Sequence, residues 1–214
     1  MTPKLIFDRT RGGGDRRRST GYVMIELAAV IALSTLLAIW KAPQQVREVE
    51  DAGMDAVGVY MQVLNAAVEK YNLSNHNALS NSQPVAGFAN SMAPTIEELR
   101  TAKYISNPSF PTTITKQNIP VAIKIIPQNC PGVNCQLFGV SYATQAMTFG
   151  TNNVRYDLVA RFLQAAGGSG ASAPYTNGGN LVSSIFNVPN PNGDVPGTIA
   201  IGTYLDEGLY QRFV

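Results

Sequence analysis

Between Tyr22 and Trp40 the chain runs for nineteen residues with a single charge, Glu26. A helix of that length rises about 28 Å, enough to cross the hydrocarbon core of a bilayer. Beyond Trp40 the pattern changes. Val46, Val49, Gly53, Val57, Tyr60, Leu64, Val68 and Tyr71 recur at spacings of three and four, and Arg47, Glu48, Glu50, Asp51, Asp55, Glu69 and Lys70 fall between them. That spacing predicts an amphipathic helix with one core-facing side. Pro43 stands at the junction. A proline inside a helix removes one hydrogen bond and clashes with the preceding turn, so a kink or a melted stretch is expected at 41–44.

The second half reads differently. Asn72 to Ser91 is polar and turn-rich and predicts a loop, with His76 solvated in it. Thr95 followed three residues later by Glu98 is a capping-box pattern and opens a short helix over 96–102. Val121, Ile123 and Ile125 alternate between Pro120 and Pro127, which predicts a strand, and "QLFGVSYAT" predicts a second. The intervening turn then closes a hairpin. "NVRYDLVARFLQAAGG" predicts a helix capped by Asn153, ended by Gly167 and facing inward through Val154, Leu158, Phe162 and Leu163. "GGSGASAPYTNGG" reads as a flexible loop; no Lys-Ser/Thr follows its glycines, which excludes a phosphate-binding loop. "TIAIGTYLD" predicts a last strand. Together these elements predict an α+β fold: a long N-terminal helix packed on a small antiparallel sheet.

Composition narrows the setting. Charged residues make up 14% of the 214, against about 25% in ordinary soluble domains, while Gly (19) and Pro (13) are plentiful. This suits a turn-rich exported domain. The net charge of +2 gives no electrostatic reason to expect a nucleic-acid partner. It also hides an asymmetry: residues 1–20 hold six basic and two acidic side chains, net +4, and the remainder is net −2. Basic residues flanking a span favour cytoplasmic retention of that flank, so everything after Trp40 is expected outside. In an exported domain Cys130 and Cys135, in "NCPGVNC", form a disulfide by default; free thiols are the other reading. With one histidine, no metal site is expected. No Gly-x-Ser-x-Gly or other converging catalytic set is present, so neither catalysis nor a cofactor is expected.

Glu26 decides among explanations of the apolar run. A cleaved secretory signal needs small residues after its core, where this chain has Trp40 and Lys41. A twin-arginine signal, hinted at by "DRRRSTG", leaves a carboxylate in its apolar core. A plain anchor leaves Glu26 unexplained, because a central charge costs about 2.5–3.5 kcal/mol on insertion scales. "GYVMIE" resembles the cleavage site of type IV prepilins, with Gly21 before the cut, Tyr22 after it and Glu26 as fifth residue of the mature chain. Tyr22 departs from the Phe or Met most often found there but keeps aromatic bulk.

The resemblance implies a cleaved leader at 1–21, a transmembrane and filament-core helix at 22–44 and a globular head at 45–214. It implies a prepilin peptidase that cuts between Gly21 and Tyr22, and N-methylation of Tyr22. Glu26, one helical turn from the new amine, would neutralise it or that of a neighbouring subunit and so set the assembly register. Pro43 would mark a helix break. A narrower resemblance rests on "VLNAAVEKY", "TIEELRTAKYI" and "YDLVARFLQAAGGSG". These are similar to PilV-type minor pilins of type IVb and thin conjugative pili, although Lys103 stands where that family usually has glycine before the tyrosine. The implied role is structural: an inner-membrane precursor with a cytoplasmic N-terminus, then an extracellular pilus subunit that contacts other subunits and a surface or a recipient cell. Major and minor subunits are not distinguished. A type II secretion pseudopilin is the nearest alternative. The scattered Asp157, Asp194, Asp206 and Glu207 do not make the acidic cluster expected of its calcium site. A membrane-anchored exported protein of other function is a further alternative.

Overall fold

A computed structural model of the chain describes residues 16–115, 118–132, 134–149 and 153–213. Most of the expected leader, residues 1–15, lies outside them. The helices are α1 (Arg16–Ser74), α2 (His76–Ser80), α3 (Ile96–Thr101), α4 (Tyr156–Ala166) and α5 (Glu207–Phe213). The strands are β1 (Thr113–Ile114), β2 (Ile119–Gln128), β3 (Gln136–Ala143), β4 (Thr148–Phe149), β5 (Asn153–Val154), β6 (Gly170–Ser172), β7 (Asn180–Val182), β8 (Asn187–Pro189) and β9 (Ile199–Asp206). The chain divides into two compact units, 1–48 and 49–214.

In the first unit α1 is helical from Arg16 and passes through Pro43 without interruption. The melted stretch expected at 41–44 is not there. Proline forfeits only its own bond to the carbonyl four residues back, and the bonds on either side of that gap carry the helix across it.

The second unit is built on a seven-stranded antiparallel sheet in the order β1-β2-β3-β9-β6-β7-β8, with β4 and β5 paired separately. The hairpin of β2 and β3 runs in register from Val121 opposite Ala143 to Gln128 opposite Gln136. Its turn is closed by the disulfide between Cys130 and Cys135. Side chains alternate along each strand, so the sheet has two faces. Ile123, Ile125, Leu137, Ile199 and Ile201 face a core shared with Met54, Val57, Met61, Leu64, Val68 and Tyr71 of α1. Each fully buried large side chain of this kind contributes about 1.5–3 kcal/mol. On the other face Phe138, Val140 and Ala200 are covered by Leu181, Phe186 and Val188 from the region of β7 and β8. Phe186 lies so close over Gly202 that any side chain there would collide with its ring.

Loop 82–112 is held to α1 by aromatic contacts. Tyr71 meets Phe88 and Tyr104 and donates its hydroxyl to Ser91 O at 2.8 Å. Tyr60 stacks on Phe110 and donates to Pro111 O at 2.8 Å. The capping box forms as its spacing predicts: Glu98 N donates to Thr95 Oγ1 at 3.1 Å, and Thr95 N donates to Glu98 Oε2 at 2.7 Å. A further bond from Ala89 N, the largest of the effects on Glu98, helps to hold its carboxyl below the usual range.

Three expectations are corrected. His76 is not a solvated loop residue. It begins α2, is 1% exposed and stacks on Tyr210 of α5, because the turn after α1 folds back onto the sheet. Asn153 does not cap α4; it belongs to β5, and Arg155 occupies the cap position. The residues expected to face inward do so: Phe162 is buried in the core, and Leu158, Leu163 and Val154, the last from β5 rather than α4, pack half-buried against it. The glycine-rich stretch after α4 is not all loop. Gly170–Ser172 is β6, paired with β9 between Gly170 opposite Ile201 and Ser172 opposite Ile199. There small residues are needed, since a side chain at Gly170 would meet Ala166.

The end of α3 places Lys103 in a conformation that favours glycine. Lys103 N donates to Arg100 O at 3.0 Å and Tyr104 N to Leu99 O at 2.9 Å, the two bonds of a Schellman motif. Lys103 adopts φ 63°, the left-handed conformation that glycine takes without a steric penalty. The motif forms with lysine in this position and carries the strain. Lys103→Gly is therefore expected to stabilise the protein by about 0.5–1 kcal/mol, the relief of strain being partly offset by glycine's greater chain entropy; chemical denaturation measures it.

Candidate functional site: the exposed faces of the long helix

In the first unit, all eleven large apolar side chains between Tyr22 and Trp40 that the structure places are exposed. Tyr22 is 75% exposed and Trp40 63%. This stretch is long and apolar enough to cross a membrane. Its polar atoms are managed in a way that suits a nonpolar medium. Ser34 Oγ donates to Val30 O at 2.6 Å, and Thr35 Oγ1 donates to Ile31 O at 2.8 Å. Both hydroxyls are thus satisfied within the helix itself, as a dry environment demands. Tyr22 and Trp40 stand at the two ends, where amphipathic rings suit a membrane interface. Glu26 is exposed, and among the described residues no hydrogen bond or ion pair engages its carboxylate. Of the expected processing site, Gly21 lies within α1, and Tyr22 begins the exposed series one turn before Glu26.

In the second unit α1 shows two sides. The buried side is Met54, Val57, Met61, Leu64, Val68 and Tyr71. Val49 and Gly53, placed on that side by their spacing, are exposed, as is Val46 in the first unit, and Tyr60 is half-buried. The other side is not simply polar. Val49, Ala52, Ala56, Val59, Val63 and Ala66 are exposed and follow alternating steps of three and four. Val59 is 59% exposed and Val63 47%. Small and β-branched residues at heptad spacing form a surface that another helix can approach closely. The periodicity read from the sequence has one apolar side on this segment and a charged side opposite; it misses the second, exposed apolar stripe. Methionine, leucine and tyrosine are confined to the core side, whereas the exposed stripe holds only alanine and valine, two residue types that the core side also uses at Val57, Ala67 and Val68.

Helix α4 is fastened to α1 by charge and by close approach. Arg155 Nη2 bonds Glu50 Oε2 at 2.8 Å and Asp157 Oδ2 at 2.7 Å. Arg161 pairs with Asp55, and Gln62 Nε2 donates to Ala165 O at 3.0 Å. Gly58 lies directly against Ala165, where any side chain would collide with it. The Arg155 hydrogen bond holds the Asp157 carboxyl well below its ordinary value, at about 2. Among the described residues no group of three His, Cys, Asp or Glu side chains comes together as metal ligands.

Two outcomes test these assignments. Val59→Asp with Val63→Asp should leave the melting temperature of the monomer within a few degrees, because neither side chain is in the core; differential scanning calorimetry checks this. Asp157, with its lowered value in the folded state, stabilises above the ordinary carboxylate range and loses that contribution as pH falls towards about 2. The stability gap between the protein and Asp157→Asn should therefore be constant above about pH 5 and close between about pH 4 and pH 2. A gap that widens on acidification would contradict the pairing.

At the level of architecture the chain is an α+β protein with a long N-terminal helix packed on an antiparallel sheet, consistent with a generic pilin-like fold. Its apolar N-terminal stretch is consistent with a single membrane-spanning segment. No family model matches the chain, and neither does any curated protein or solved structure.

Proposed function

We propose that the chain is a structural pilin-like subunit, most similar to the PilV-type minor pilins, and that it is assembled into a type IV pilus after its leader is removed. The observation that carries this reading is the exposed apolar run between Tyr22 and Trp40 with one charged group, Glu26, near its start. Such a surface requires a nonpolar environment, since each large side chain left in water forgoes about 1.5–3 kcal/mol. A bilayer supplies that environment before assembly, and the helices of neighbouring subunits supply it afterwards. Cleavage between Gly21 and Tyr22 leaves a cationic amine in the same medium. A carboxylate four residues along is the group that neutralises it, within one chain or between two.

The exposed set Val49, Ala52, Ala56, Val59, Val63 and Ala66 supports the same reading, because it offers neighbouring subunits a second helix face. The head then carries the outward contacts: adhesion to a surface, or mating contact with a recipient cell. In this reading the precursor sits in the inner membrane with its N-terminus in the cytoplasm, a prepilin peptidase processes it, and the mature subunit is extracellular.

Mass spectrometry of the exported protein tests the processing step. The mature chain should begin at Tyr22 and carry one extra methyl group; a chain that retains its arginines, or that has lost residues 22–40, would end the proposal. For assembly, Glu26→Ala should be cleaved normally yet enter filaments poorly, read by immunoblot of sheared pili. Unchanged incorporation would remove the register role from Glu26.

A further inference from the structure

Asparagine followed by glycine occurs at two places in the chain, Asn177-Gly178 and Asn192-Gly193. In such a step the glycine nitrogen has no side chain beside it to shield it, and the asparagine carboxamide carbon is placed to close a five-membered ring with it. Locally the two steps are equivalent; the fold makes them differ. Asn192 is tied down. Its Nδ2 donates to Ala143 O at 2.8 Å and to Thr198 Oγ1 at 3.3 Å, and its backbone N–H donates to Asn190 Oδ1 at 3.1 Å. The nitrogen that would have to attack, Gly193 N, donates to Asn190 O at 2.9 Å. Asn177 has none of this. Its side chain is exposed, and among the described residues neither its carboxamide nor Gly178 N makes a hydrogen bond. Asn177 O accepts from Asn180 N at 3.4 Å, a long and weak bond, and Gly178 and Gly179 leave the backbone free to turn.

We propose that Asn177 is a site of spontaneous deamidation and that the fold protects Asn192 from the same reaction. Gly178 N bonds to Asn177 Cγ and closes a five-membered imide. The Cγ–Nδ2 bond breaks, and Nδ2 leaves as ammonia with the proton that Gly178 N gave up. Water then adds to either imide carbonyl. Opening one way gives aspartate; opening the other gives isoaspartate, in which the main chain runs through Cγ. Asparagine is thermolabile by this route, and no enzyme or oxidant takes part. Gly178 is buried against Asp194 and Pro196. Attacking and attacked atoms belong to adjacent residues, so that packing does not separate them. The reaction matters to the head because of what leans on this turn. Asn190 Nδ2 donates to Gly178 O at 2.8 Å, and Asn190 N donates to Gly179 O at 2.7 Å. Asn190 directly follows β8, whose Val188 helps to cover Phe138 and Val140. An isoaspartate lengthens the backbone by one carbon just before both acceptors. Either product also adds a negative charge next to the place where Asp194 packs on Gly178, and like charges repel.

Peptide mapping by mass spectrometry tests the site. The full chain in detergent micelles is held in warm, mildly alkaline buffer beside the same chain in guanidinium chloride. In the denatured chain both asparagines should gain one mass unit at similar rates. In the folded chain Asn177 should convert, and Asn192 should lag by at least about tenfold, the effect of holding several hydrogen bonds in place. Equal conversion of the two in the folded chain, or faster conversion of Asn192, would overturn the proposal. So would an Asn177 that stays intact while the denatured control converts. Hydrogen exchange then tests the consequence: in the converted protein the amide of Asn190 should exchange faster than before. An unchanged rate would show that the turn absorbs the extra carbon and that β8 is not loosened. Neither measurement depends on leader cleavage or assembly, so failure here is distinct from failure of the pilin-like reading.

Discussion

One helix has to answer two opposite demands for burial. Within 49–74, α1 completes the core of a sheet that would otherwise expose Ile123, Ile125, Leu137, Ile199 and Ile201. Within 22–40 it carries apolar residues that none of the described residues covers. Apolar area drives association in proportion to what is removed from water, regardless of which molecule removes it. The first set is satisfied by folding. The second is not satisfied by any described part of the chain, and that is the constraint on which a membrane-spanning reading of the helix rests.

The head is organised to keep its part of α1 seated. Large side chains set the depth of the contact, and the close approach of Gly58 to Ala165 brings α4 alongside. The Arg155 and Arg161 pairs then bridge α4 to Glu50 and Asp55. These partly exposed pairs add less than the apolar core does, but they fix which way α4 lies. On the opposite face Phe138 and Val140 would be exposed were it not for Phe186, Leu181 and Val188. The sheet is thus buried on both faces at its centre, which explains why β3 and β9 read as nearly continuous apolar or small residues rather than as clean alternation.

Some departures from expectation share a cause. His76, Gly170 and Asn153 all lie in stretches whose local composition predicts loop or cap, and each is drawn into a regular element by tertiary contact. Polar and glycine-rich segments have weak intrinsic preferences, so a neighbouring strand or ring outweighs them easily. Lys103 shows the converse. A strong local requirement, the left-handed residue that ends α3, is met by an unfavourable side chain because the two bonds of the motif are worth more than the strain.

The sequence by itself determined the elements whose signal is local: the apolar run and its isolated Glu26, the capping box at Thr95 and Glu98, the alternation of β2, the hairpin and the cysteines at its turn. Each depends on the period of the chain or on groups a few residues apart, so no partner is needed to read it. Only the tertiary structure decided which side of α1 faces the core, that His76 is buried, and that Gly170–Ser172 joins the sheet. These depend on volumes and surfaces brought together from distant parts of the chain. Val49 and Val57 have the same side chain and both fit the helical period, yet the shape of the sheet beneath them leaves one in solvent and buries the other.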